Sequence, residues 1–209
     1  MGDFKQDFMP FRWLSQAALL CILCLVLSQR ASGASGASVV LAWKPSTDPA
    51  VVGYFLYIGT ATGSYSMKLD VGNYSGTTVS GLLQGGTYYF AATAYDASGY
   101  ESPLSSPEVS TAIPDTSPPD ATITWPPNGG SLKKFSNLTI AATATDNVGV
   151  STVDFYINGN LACSDATYPY TCKWRVPAAR GRTYQFQATA RDAAGNVGSS
   201  GIVTATTLR

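Results

Sequence analysis

A thirteen-residue stretch occurs twice in this chain, TYYFAATAYDASG at 87–99 and TYQFQATARDAAG at 183–195, and nine of the thirteen positions are identical. In each copy every second residue is apolar: Tyr88, Phe90, Ala92 and Ala94, then Tyr184, Phe186, Ala188 and Ala190. Asp-Ala-x-Gly follows at once. A period of two predicts a half-buried strand that ends in a tight turn. The 96-residue spacing is too long for a solenoid repeat and fits one small β-sandwich per copy. The chain therefore reads as all-β, with two tandem immunoglobulin-like β-sandwiches.

Composition agrees. Charged residues are 12% of the 209, and Leu/Glu/Lys patterns of helical period are absent beyond the N-terminal region. Thirteen basic and thirteen acidic residues cancel, so no net field steers the molecule to nucleic acid, which is excluded as an expected partner. The chain contains no His, which removes the commonest general base and metal ligand together.

The first segment predicts an export signal over residues 1–33. The apolar block Ala17–Leu27 (AALLCILCLVL) has eleven residues, short of the roughly 20 that span a bilayer. Arg12 precedes it and small residues follow it over 31–37, with cleavage expected after Gly33 or Gly36. A membrane contact is expected only if this segment stays attached as an anchor. The predicted location is extracellular, at the cell surface or in the periplasm. Cys21 and Cys24 lie within the segment, which leaves Cys163 and Cys172. An even pair in an exported chain predicts a disulfide; the reading places them in adjacent strands, 161–164 and 170–176, with Cys172 facing inward beside Trp174.

Residues 38–113 form the first predicted domain. Trp43 on an early strand, Tyr54 and Leu56 on the next, the Leu82-x5-Tyr88 corner and the Ser102-Pro103-Leu104-Ser105 opening of the last strand resemble a bacterial fibronectin type III domain. The resemblance implies that Tyr88 buries its ring and turns its hydroxyl back to nearby backbone. It departs at the first strand, where 34–38 alone is available, so a short edge is expected. Residues 114–119 (PDTSPP) carry three prolines and predict a stiff, extended linker.

Residues 120–208 form the second domain. The stretches Ala144-Thr-Asp-Asn-Val-Gly-Val150, Val153–Gly159 and Asp192-Ala-Ala-Gly-Asn196 resemble bacterial immunoglobulin-like domains of exported proteins. In such a sandwich the N-terminus and the loops after the second and sixth strands meet at one pole. This would gather Asp115, Asp120, Asp146, Asn147, Asp192 and Asn196, hard oxygen ligands suited to Ca²⁺ at the domain junction. Asp and Asn also favour turns for their own backbone hydrogen bonds.

No catalytic constellation can be assembled, and no enzyme activity is expected. The chain lacks G-x-S-x-G and a phosphate-cradling Gly loop. The expected function is a non-catalytic exported module for binding, adhesion or spacing, facing an unidentified protein or glycan at the cell surface. The alternative is a carbohydrate-binding accessory protein of a polysaccharide-degrading system. For that, Tyr65, Tyr74, Tyr100 and Tyr168 would supply stacking rings.

Overall fold

The computed structural model describes residues 25–27 and 36–208. It divides into two compact units, Met1–Ile113 and Pro114–Arg209. Both are sandwiches of two sheets, and among the described residues there is no helix long and apolar enough to cross a membrane.

The first unit contains β1 (Leu25–Leu27), β2 (Ala37–Ala42), β3 (Val51–Gly59), β4 (Met67–Asp70), β5 (Gly76–Leu82), β6 (Thr87–Asp96) and β7 (Val109–Ala112). One sheet has the order β1-β2-β5 and the other β4-β3-β6-β7. Alternate residues of each strand point between the sheets: Val39 and Leu41 from β2, Tyr54, Leu56 and Ile58 from β3, Val79 and Leu82 from β5, Phe90, Ala92 and Ala94 from β6. Register sets large residues against small ones, Tyr54 opposite Ala94 and Leu56 opposite Ala92, so one layer of side chains fills the gap without crowding. Trp43 closes the layer edge-to-face on Tyr54, 5.7 Å between centroids. The Tyr88 hydroxyl accepts the Leu83 N–H at 2.8 Å.

Two features of this unit differ from the sequence reading. Residues 37–38, in the stretch expected to form a short first edge, instead begin β2, the inner strand that carries Val39 and Leu41. The edge beside it is β1, drawn from the apolar block assigned to the export signal, with Leu25 opposite Val40. Residues 1–24 and both flanks of the expected Gly33 cleavage point lie outside the described residues. The second difference is β6, which is buried on both faces at its centre, including Ala91 and Thr93. The physical cause is a cover of outward-facing rings described below.

The second unit contains β8 (Asp120–Trp125), β9 (Gly130–Leu132), β10 (Asn137–Thr145), β11 (Val150–Ile157), β12 (Asn160–Asp165), β13 (Tyr170–Arg175), β14 (Thr183–Asp192), β15 (Val197–Ser199) and β16 (Val203–Thr207). The sheets run β13-β10-β8 and β12-β11-β14-β16-β9, with β15 also on β14 and β9 parallel to β16. Phe155, Phe186, Val153 and Ile140 are fully enclosed. Trp174 stacks edge-on to the buried Tyr184 at 4.9 Å and to Phe186 at 5.8 Å. The β11–β12 hairpin turns on Asn158 and Gly159, both left-handed at φ 51° and 77°, as a two-residue turn of matching twist requires.

Cys163 and Cys172 form a disulfide with a Cα–Cα distance of 6.1 Å. They do not sit in paired neighbours, as the sequence reading had it. β12 pairs with β11 while β13 pairs with β10, so the bond joins the edge of one sheet to the edge of the other. A covalent clamp replaces hydrogen bonds where the sandwich is open. The 114–119 stretch, read as a stiff extended linker, belongs to the second unit. Its closest approach is at Gly198, where an added Cβ would lie 1.6 Å from the Pro119 carbonyl oxygen; only glycine permits that contact.

Two outcomes are expected from these contacts. Replacing Cys163 and Cys172 by Ser should lower the stability of the second unit by about 2.5–3 kcal/mol, the chain-entropy value for a ten-residue loop, read as a shift of its urea midpoint. Gly198→Val should cost about 1–3 kcal/mol through overpacking; a variant with an unchanged midpoint would show that the 114–119 stretch is not docked there.

Candidate functional site

The described carboxylates fall into two kinds. Glu101 and Glu108 are of the first kind, engaged by local donors on both oxygens. Glu101 accepts hydrogen bonds from the Tyr57 hydroxyl at 2.6 Å and Thr93 Oγ1 at 2.9 Å, and it pairs with Lys68. Burial pushes its carboxyl up, but these partners outweigh it and hold the group below the ordinary Glu value. Lys68 Nζ also lies 3.9 Å from the centroid of the Phe55 ring, a cation–π contact. Phe55 in turn packs on Tyr95 at 4.6 Å. Phe55, Tyr57, Tyr95 and Lys68 cover the outer face of β6, because Phe55 and Tyr57 on β3 lie opposite Thr93 and Ala91.

Glu108 is engaged in the same way by Thr62 Oγ1 at 2.6 Å, the Gly63 N–H at 3.0 Å and the Tyr65 hydroxyl. Burial, followed by the acceptor Glu108, raises the Tyr65 phenol to about 12. The sequence reading missed this surface. Its signal was available in the outward positions 55, 57, 93 and 95, which are aromatic or β-branched where polar residues are ordinary.

Asp115, Asp146 and Asp192 are the second kind. One carboxylate oxygen from each lies within 4.8 Å of the other two. Strand register brings them together. Thr145 at the end of β10 pairs with Asp120 at the start of β8, and Val150 at the start of β11 pairs with Asp192 at the end of β14. Loop 146–149 thus crosses from one sheet to the other at a single pole, and residues 114–119 enter the same pole on the way to β8.

Local hydrogen bonds fix each carboxylate. Asp146 Oδ2 accepts the N–H groups of Val148 and Gly149, both at 2.9 Å. Asp192, 5% exposed, accepts the Asn196 N–H on Oδ1 at 2.8 Å and the Asn196 Nδ2 on Oδ2 at 2.7 Å. Asp115 Oδ1 accepts the Ser117 N–H at 3.1 Å and Asn147 Nδ2 at 3.2 Å. The Asp115 carbonyl accepts Asn196 Nδ2, also at 3.2 Å. Burial pushes the Asp192 carboxyl up, but the donors from Asn196, Gly195 and Ala194 prevail and keep it below its ordinary value.

Of the six residues expected at this pole, three supply converging carboxylates. Asn147 and Asn196 act as struts that donate to them, and Asp120 is exposed in the β8 ladder, outside the convergence. All of the cluster belongs to the second unit. Among the four tyrosines considered for sugar stacking, Tyr74, Tyr100 and Tyr168 are 72%, 70% and 75% exposed. Tyr65 is half-buried and bonded to Glu108. Tyr168 meets Tyr170 edge-on at 86° and lies in the second unit, whereas Tyr65, Tyr74 and Tyr100 belong to the first.

Residues 119–188 match the family described as a bacterial Ig domain. The chain is 36% identical over 180 residues to chitinase A1 of Niallia circulans, covering 82% of this chain and 24% of that protein. It is 39% identical over 72 residues to a Kelch domain-containing protein of Saccharolobus solfataricus, covering 34% of this chain and 10% of the relative. The chain therefore spans a quarter or less of these relatives. Among solved structures, the fibronectin(III)-like modules of Clostridium thermocellum CbhA align with a TM-score of 0.39 and 30% identity, covering 42% of this chain and 94% of that one.

The depressed Asp192 carboxyl has a pH consequence. Its folded value lies below the unfolded one, so its contribution is present above about pH 4 and is lost as pH falls through the folded value. In EDTA, wild-type melting temperature should fall more steeply below about pH 4 than that of Asp192→Asn. Equal slopes in differential scanning calorimetry would refute this.

Proposed function

We propose that this chain, a fibronectin type III sandwich followed by a bacterial Ig domain, serves as a non-catalytic spacer and presentation module of a polysaccharide-degrading protein or system. The observation that carries the reading is the likeness to chitinase A1. At 180 residues the match is longer than either unit, so it must draw on both sandwiches. A likeness on that scale supports a shared tandem architecture.

The chemistry of the chain supports the non-catalytic part. It has no His, and Glu101 and Glu108 of the first unit are bound up in Lys68, tyrosine and threonine contacts. Paired carboxylates that cleave a glycosidic bond stand about 5–10 Å apart across a cleft that admits the sugar. The three that converge here are closer than that and partly capped by Asn147 and Asn196. Two closed sandwiches supply rigid frames with loops at their ends, a design suited to holding other domains at a distance. The Cys163–Cys172 disulfide supports an oxidising compartment outside the cytosol.

The full chain, incubated with colloidal chitin, cellulose and xylan, should release no reducing sugar and should remain in the supernatant after the insoluble polymers are pelleted. Turnover of any of them would overturn the reading. Retention on one polymer that is lost in a Tyr74→Ala or Tyr100→Ala variant would replace the spacer role with direct glycan recognition.

A further inference from the structure

Asp115 Oδ2 and Asp146 Oδ1 are buried oxygens with no hydrogen-bond donor. Such an atom is uncommon in a folded protein, because an acceptor taken from water and left unmatched destabilises the fold, more so when it carries charge. Their residues belong to the cluster in which oxygens of Asp115, Asp146 and Asp192 lie within 4.8 Å of one another. Like charges so close repel. The ion pairs among the described residues, Lys68–Glu101 and Arg191–Asp154, bring no cation to this cluster. The remaining oxygens are held by backbone and Asn donors, which orient the carboxylates without neutralising them.

A single cation between the three would supply both missing elements, a partner for each orphaned oxygen and a countercharge. The spacing and the donor set suit one class of ion. A hard divalent ion with cation–oxygen distances of about 2.4 Å places ligands on its opposite sides about 4.8 Å apart, which suits Ca²⁺, whereas Mg²⁺ at about 2.1 Å demands a tighter, near-octahedral set. The donors are all oxygen, with no nitrogen or sulfur ligand to favour zinc or copper. We propose that Asp115, Asp146 and Asp192 bind Ca²⁺ at the pole of the second sandwich. The ion ties the 114–119 entry segment to the ends of β10 and β14, so the start of the unit is fastened to its two sheets. The trait is independent of any polysaccharide.

The test uses the full chain and calcium alone. In EDTA the cluster carries its repulsion; with millimolar CaCl₂, calorimetry should show the melting temperature of one transition rise by roughly 5–10 °C. Titration calorimetry should give one site per chain. Asp146→Asn and Asp115→Asn should abolish the rise while melting no lower than wild type in EDTA, since each removes one of three like charges. That last readout separates a cation site from a purely structural turn. No calcium shift in wild type, an undiminished shift in both variants, or an equal shift with MgCl₂ would each overturn the assignment.

Discussion

Phe90 and Phe186 occupy equivalent places in the repeated strand, and each is wholly enclosed between two sheets. The first unit closes around Phe90 with Leu41, Leu56 and Trp43, the second around Phe186 with Phe155, Ile140 and Tyr184. Burial of alternate side chains from a central strand is therefore the interaction on which the rest depends. A slip of one residue in β6 or β14 would turn the phenylalanine outward and empty the layer. The small residues that alternate with it matter equally, because Ala92, Ala94, Ala188 and Ala190 let the facing sheet approach.

The same strand also delivers its terminal Asp to a turn, and the two copies part company there. Asp96 accepts the N–H groups of Ser98 and Tyr100, and Asp192 accepts the N–H of Asn196. Asp96 stays a simple turn residue. In the second unit Asn196 replaces Tyr100, its side chain reaches both Asp192 and the Asp115 carbonyl, and Asp146 arrives from the neighbouring loop. One repeated motif thus closes a hairpin in the first copy and contributes to a charged cluster in the second.

Stability at the open edges comes from different devices. The second unit joins its two sheets by the disulfide between β12 and β13. The first unit has no such bond among the described residues and instead layers Phe55, Tyr57, Tyr95 and Lys68 over the outer face of β6. Buried serines complete the ladders where the last strand is interrupted: Ser102 and Ser105 accept the N–H groups of Ala94 and Ala92, and Ser200 that of Ala188. These are packed, hydrogen-bonded surfaces.

The sequence by itself determined what depends on local period and on residue type. The alternation at 88–94 and 184–190, the 96-residue spacing and the Asn158-Gly159 turn were enough for two all-β sandwiches, since a two-residue period and a left-handed turn are properties of a short stretch. The resemblance to immunoglobulin-like sandwiches also nominated Asp115, Asp146 and Asp192, together with Asp120, Asn147 and Asn196, because it puts their turns at one pole. Tertiary structure decided what depends on partners distant in the chain. Which sheet β12 and β13 join, and hence that the disulfide crosses the sandwich, is set by pairing with β11 and β10. That Asp120 stands aside while Asn147 and Asn196 act as donors is set by register and side-chain direction. The two orphaned carboxylate oxygens exist only because segments 115, 146 and 192 close on one another and exclude water, a condition that no local pattern can express.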